Sequence, residues 1–376
     1  MPSEPERLSI IDTDVHNAFG DLCPFLPRVW HDRWRRNGLG VGGIHEGNPR
    51  GVSRRDATPP GGGAPAGDPE FLITDHLDRF DIDYAILTGP GGLALSPDPD
   101  YANAVAAAYN DSMIESWLPV TPRFKGSVLV NSDDPEAAAA EIRRRGGHPD
   151  MVQVMMASTS RAPYGQRRYH PIYAAASELG LPVAIHPGTE GAGLAWPPTP
   201  AGYPTRYMEW HNILPINYMG QINSLVCEGV FERFPDLTFI GIEGGLAWLP
   251  HLMWRMDKNY KALRDTAPWL KRLPSEYIID HIKLTTQPIE EPARAQHLVQ
   301  ILEMMHAERT VMFSSDYPHW DNDNPLLTLR RLPDDLRSRI FATTAAEVYG
   351  LTTKPARTVQ PVRGTGGAAA APGPVE

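Results

Sequence analysis

This 376-residue α/β sequence predicts a (β/α)8 TIM barrel with loop insertions after strands one and five. Three observations carry the prediction. Apolar runs of strand length alternate with helix-length amphipathic stretches along the chain. The runs are short, continuous and β-branched, as strands buried on both faces of a parallel sheet are. There are eight of them, the number that closes such a barrel. In order they are "LSIIDTD" (8–14), "YAILTG" (84–89), "KGSVLV" (125–130), "MVQVMM" (151–156), "LPVAIHPG" (181–188), "LTFIGIEGG" (237–245), "IKLTTQP" (282–288) and "TVMFSSD" (310–316). Between them lie helical stretches such as "DPEAAAAEIRRRG" and "PIYAAASELG", closed by Gly as helix C-termini prefer. A doubly wound open sheet is the rival, but no Gly-rich phosphate loop follows the first strand.

Two regions break the rhythm. Residues 20–70 are rich in Gly and Pro and too long for a simple βα loop, so a cap or lid is expected there, at the active-site mouth. Residues 188–215 form a second irregular insertion. Residues 1–353 are expected to make one domain. Residues 354–376, "KPARTVQPVRGTGGAAAAPGPVE", are expected to form a disordered tail, being unable to bury enough apolar surface.

Composition narrows the function classes. A net charge of −10 argues against a nucleic-acid or anionic-membrane surface, and the basic clusters (Arg33, Arg35, Arg36 and Arg143 to Arg145) are short enough to be solvated faces. Two cysteines, Cys23 and Cys227, leave no disulfide framework and no Cys-based metal site. No secretory leader and no run of 18 apolar residues is evident, so a cytoplasmic location is the default expectation.

The chemistry gathers at strand ends. Strand one ends in "DTDVH", where Asp14 and His16 are two apart and share a face. Strand five ends at His186, strand six at Glu243 and strand eight at Asp316. Taken singly, each has a plain reading: a hydrogen-bonded structural His, a helix N-cap, an ion pair. Together, five metal-competent side chains from four separated strands would converge on the barrel mouth.

The motifs "DTDVH", "YAILTG", "YNDSMIESW", "VAIHPG", "FERFPDLTFIGIEGGLAWLP" and "FSSDYPHWD", spread over residues 8–350, resemble the amidohydrolase-related family that contains the aminocarboxymuconate-semialdehyde decarboxylase type. The resemblance implies that Asp14, His16, His186 and Asp316 bind a divalent metal. Two departures matter. Such proteins commonly carry His-x-His on strand one and a His on strand six, where this chain has Asp14 and Glu243. The harder oxygen donors shift preference from zinc toward manganese or iron. The clustered negative charge favours more than one cation, with Glu243 bridging. His211 and His319 are then candidates for the second ion's shell. His211 could equally be a substrate contact or an ordinary loop residue, and His319 fits better as a group orienting Asp316 or touching substrate.

The leading expectation is O2-dependent hydroxylation of a small or medium organic substrate at a dinuclear Fe or Mn/Fe site, with electrons from an external donor; the catalytic group is Glu243, Asp316 and His319. The resemblance extends to a carboxylate-rich branch with hydroxylating members. The alternatives are hydrolysis at a zinc-type centre, with Asp316 taking the proton of a metal-bound water, and non-oxidative decarboxylation of an unsaturated or aromatic acid. Trp30, Trp34, Trp196, Tyr203, Tyr207 and Trp210 supply aromatic surface for pocket walls or for ordinary packing, and Arg206 or Arg54 could pair with a substrate anion. A homodimer is expected from the resemblance.

Overall fold

The computed structural model describes residues 8–38, 51–93, 96–193 and 195–352. Eight parallel strands lie in one sheet in sequence order: β1 (Ile11–Val15), β2 (Tyr84–Leu87), β3 (Phe124–Leu129), β4 (Met151–Ala157), β5 (Val183–His186), β6 (Phe239–Gly241), β7 (Ile282–Thr285) and β8 (Val311–Met312). Each pairs in parallel with the next. Closure falls just past the two-residue β8. There Thr13 N donates to Phe313 O at 3.0 Å, Asp316 N to Asp14 O at 3.1 Å and His16 N to Tyr317 O at 2.7 Å. The chain therefore forms the expected (β/α)8 barrel.

The helices begin where local chemistry directs them. Three open on an Asp-Pro pair: Asp68, Asp98 and Asp134 each accept a hydrogen bond from the backbone N–H three residues on, and the following proline fills the first helical turn, where its missing N–H costs nothing. The strand residues of β1, β3, β4 and β5 are buried throughout, and the barrel helices lay apolar faces against them. This double burial makes the runs continuous in the sequence instead of alternating.

Strands six and eight stop earlier than the apolar runs suggest, at Gly241 and Met312. The reason is backbone conformation. Glu243 and Asp316 have φ of +60°, which no strand accommodates. The kink turns each carboxylate across the mouth.

Of residues 20–70, the described part contains the short helix His31–Asn37 and a 3-10 turn at Arg55–Ala57; residues 39–50 lie outside the described residues. Its returning limb runs along the loop after β8. Ser53 bridges antiparallel to His319, Arg54 N donates to Pro318 O at 2.8 Å and Trp320 N to Val52 O at 2.9 Å. The 188–215 stretch is irregular up to the helix Tyr207–His211. The expected tail, 354–376, lies outside the described residues. Among the described residues, no helix is long and apolar enough to cross a membrane.

Candidate metal centre and active site

Asp14 and His16 leave β1 on one face, His186 ends β5, and Glu243 and Asp316 follow β6 and β8. Each offers one donor atom, and these five atoms all lie within 4.8 Å of one another. His16 Nε2 is 3.1 Å from Asp316 Oδ1 and 3.5 Å from Asp14 Oδ1. His186 Nε2 is 3.4 Å from Asp14 Oδ2 and 3.1 Å from Glu243 Oε2. The neighbours of the cluster fix its orientation. His16 Nδ1 is held by Gly89 O and His186 Nδ1 by Pro187 O, each at 2.7 Å, leaving both Nε2 atoms turned inward. Thr88 Oγ1 donates to Asp14 Oδ1 at 2.8 Å. Such outer contacts set the tautomer and aim of metal-binding imidazoles.

The polar atoms at the centre are unsatisfied. Asp14 Oδ2, His16 Nε2, His186 Nε2 and both Asp316 oxygens are buried and make no hydrogen bond. Native proteins seldom leave such atoms orphaned, because each costs about 1–3 kcal/mol. A divalent cation would satisfy all of them at once, so the donor set fits one.

The electrostatics agree. Burial opposes the ionised form of Asp14, but the imidazoles of His186 and His16 outweigh it and hold the carboxyl down at about 2. His16 is pulled down by burial, yet Asp14 and Asp316 lift it to about 9. Burial raises Asp316 to about 8, with His16 opposing and Asp14 and Asp321 adding. Glu243 is raised well above the usual range by burial and then by Asp316 and Asp14. Without a cation, then, three crowded carboxyls cannot all ionise. Divalent charge relieves that repulsion.

His319 lies against this cluster, its Nδ1 2.7 Å from Asp316 Oδ1 and its ring 4.1 Å from that of His16. Burial, and then the charge on His16, holds His319 well below its usual value, so it is neutral near pH 7. His211 is not part of the cluster. Its Nε2 is 3.2 Å from Asp321 Oδ2, and its ring packs against those of Tyr207 and Trp320.

Above the cluster opens a cavity of about 340 Å³, lined by Phe19, Val52, Tyr207, Trp320, Asp321 and Asn17 among others. Of the six aromatics expected as walls, only Tyr207 is among the described lining residues. Trp30 packs on Tyr101, Trp34 on Phe19, Trp210 is buried, and Trp196 and Tyr203 are exposed. Arg54 is occupied by Asp56 and Asn322, and no Lys or Arg is among the described lining residues. Sequence reasoning missed Asn17, Thr88 and Gly91. The one signal was the "TGPGG" turn after strand two: at Gly91, with φ of +69°, any Cβ would strike the His186 ring.

The chain belongs to the amidohydrolase family, whose Amidohydro_2 model matches residues 11–351. Within it, the chain is 27% identical over 263 residues to gamma-resorcylate decarboxylase of Rhodococcus jostii, covering 64% of this chain and 75% of that enzyme. The fold is similar to 5-carboxyvanillate decarboxylase from Novosphingobium aromaticivorans, solved with manganese and 4-hydroxy-3-methoxy-5-nitrobenzoic acid (TM-score 0.67, 21% identity, 92% of this chain and 96% of that one). It is similar also to dihydroxybenzoic acid decarboxylase from Polaromonas sp. JS666, solved with manganese and 2-nitroresorcinol (TM-score 0.63, 20% identity, 92% and 97%).

These findings correct the leading expectation. The relatives are decarboxylases, and their solved counterparts hold manganese, so O2-dependent hydroxylation by a di-iron monooxygenase is overturned together with its external electron donor. Geometry gives the physical reason for dropping the second ion. Five donor atoms within 4.8 Å of one another match the shell of one cation, and His211, offered as a ligand to another, faces Asp321 instead.

Proposed function

We infer that this protein is a metal-dependent, non-oxidative decarboxylase of a small aromatic or unsaturated carboxylic acid. The observation that carries the reading is the buried five-donor cluster, four of whose residues carry unsatisfied atoms, beneath a cavity of about 340 Å³ in a chain whose relatives are decarboxylases. Asp14, His16, His186, Glu243 and Asp316 would hold the cation. When bound, it supplies positive charge to orient the substrate carboxylate and a neighbouring oxygen, a role that no described Lys or Arg of the cavity takes. Manganese suits this carboxylate-rich set better than zinc.

The chain's own residues do the rest. Phe19, Tyr207 and Trp320 present flat apolar surface to a ring. Asp316 is the proton donor. Among the three carboxylates it alone touches His319, and His319 lines the cavity, giving a path from the mouth to Asp316 Oδ1. The proton lands on the carbon that bears the carboxylate, the carbon–carbon bond breaks, and CO2 leaves, with no oxidant needed.

The test is anaerobic turnover of hydroxylated benzoates by manganese-loaded protein. One CO2 per acid consumed is expected, along with a 10²–10⁴-fold loss of kcat in Asp316→Asn. Turnover that requires O2, or that persists unchanged after chelation, would overturn the reading.

A further inference from the structure

Directly behind the cluster lies a second buried constellation that the chemistry above does not use. Asp12, two residues before Asp14, is fully enclosed, as are His76 and Ser315. Its carboxylate takes four contacts. Ser315 N donates to Oδ1 at 2.8 Å and Asp14 N to the same oxygen at 3.4 Å. Ser315 Oγ donates to Oδ2 at 2.6 Å, and His76 Nε2 is 2.8 Å from that oxygen. Ser315 Oγ in turn accepts from Tyr317 N at 3.1 Å. His76 comes from a single turn of π-helix, Ile73–Asp78, a rare geometry that recurs at functional sites. The same turn grips the next residue of the loop: the His76 ring stacks on Tyr317 at 4.4 Å, and Tyr317 Oη donates to Asp75 Oδ2 at 2.9 Å.

A nucleophilic role is excluded for this Asp-His-Ser arrangement, because Ser315 and His76 are sealed from the cavity. What the contacts share is Asp316. They hold the residue before it and the residue after it, while Asp316 itself sits at φ of +60°. Asp enters that region more readily than most residues, but as a single residue whose surroundings must hold it there. Asp12 also accepts from the backbone of Asp14, so one carboxylate joins two of the three strands that deliver acids to the centre, β1 and β8.

We propose that the Asp12–His76–Ser315 relay is a positioning device that locks Asp14 and Asp316 in metal-binding geometry, with His76 as its keystone. The proposal rests on the metal centre but not on the identity of the reaction. Loss of His76 frees the Ser315–Tyr317 segment, lets Asp316 relax out of the left-handed region, and loosens the ion.

Manganese affinity and the paramagnetic resonance spectrum of bound Mn²⁺ in the full chain test this without any substrate. Expected in His76→Leu is a fall in affinity of about tenfold or more, with an altered spectrum and retained circular dichroism. His76→Gln, which keeps a donor near Nε2, regains most of the loss. Ser315→Ala shows a smaller fall of the same kind, and it decides the matter, with His76→Gln, if His76→Leu does not fold. Wild-type affinity and spectrum in folded His76→Leu and Ser315→Ala would overturn the relay alone. No manganese uptake by the wild type would overturn the metal centre and the relay with it. Normal manganese binding without decarboxylation would overturn only the function proposed above.

Discussion

The two ends of the barrel hold cavities of similar size, about 340 Å³ at the mouth and about 400 Å³ at the floor, and both are lined by charged groups. At the floor the buried polar atoms have partners within the protein. Arg309 pairs with Asp280 at 2.5 Å and Arg339 with Glu347 at 2.7 Å, and Lys283 donates to the backbone oxygens of Asp280 and Ile282. Among the described residues lining the floor, no buried side-chain atom lacks a partner. At the mouth, Asp14, His16, Asn17, His186, Asp316 and Asp321 all carry such atoms. Polar groups satisfied within the protein maintain the fold, and groups left waiting for a partner mark where something binds.

That contrast can be broken at several points. The largest effect is expected at the mouth, where Asp14→Asn or His186→Ala removes a donor from the centre; manganese retained after gel filtration should fall to background, with little change in melting temperature. A clear loss of stability with full metal content would reverse the assignment of the two ends. Next, Gly91→Ala forces a methyl into the His186 ring and should lower manganese affinity by about tenfold, measurable by competition with a chelating dye. Trp320→Ala opens the cavity wall and should raise KM several-fold while leaving kcat and metal content near wild type. The smallest and opposite effect is expected at the floor. Burial pulls Lys283 down to about 8, so the folded protein pays for its charge. The unfolded chain binds more protons between pH 8 and its free value, so stability should rise with pH across that window, with the full penalty below it. Lys283→Met should therefore raise the melting temperature by a few degrees at pH 7, and the gain should vanish above pH 10.5.

The barrel was legible because burial on both faces writes continuous apolar runs, and their order left one plausible closure. Strand ends were not legible. Nothing in "GIEGG" or "FSSD" announces that Glu243 and Asp316 turn left-handed, since the contacts around those turns, Glu243 N to Thr285 Oγ1 and Ser315 N to Asp12 Oδ1, join residues far apart in the chain. The donor types in the cluster were visible as residues at strand tips. How many ions they hold depends on distances, and donor hardness alone pointed to iron and oxygen. His211 shows the same limit, since its place beside Asp321 is set by how the 188–215 loop folds back. Asn17 is a single small residue with no motif to announce it, Thr88 and Gly91 are marked only by the "TGPGG" turn, and the importance of all three comes from what they touch.

The left-handed backbone at positions 243 and 316 also limits how this centre can drift. Of the side chains that bind metals, Asp and His enter that conformation readily and Glu less so, while β-branched residues are nearly barred. The carboxylate that stands at 243, where the family resemblance leads one to look for an imidazole, therefore accepts a conformational burden that His or Asp would avoid. Evolutionary exchange at that place is confined to a very short alphabet, and the choice among its letters trades reach toward the ion against ease of the turn.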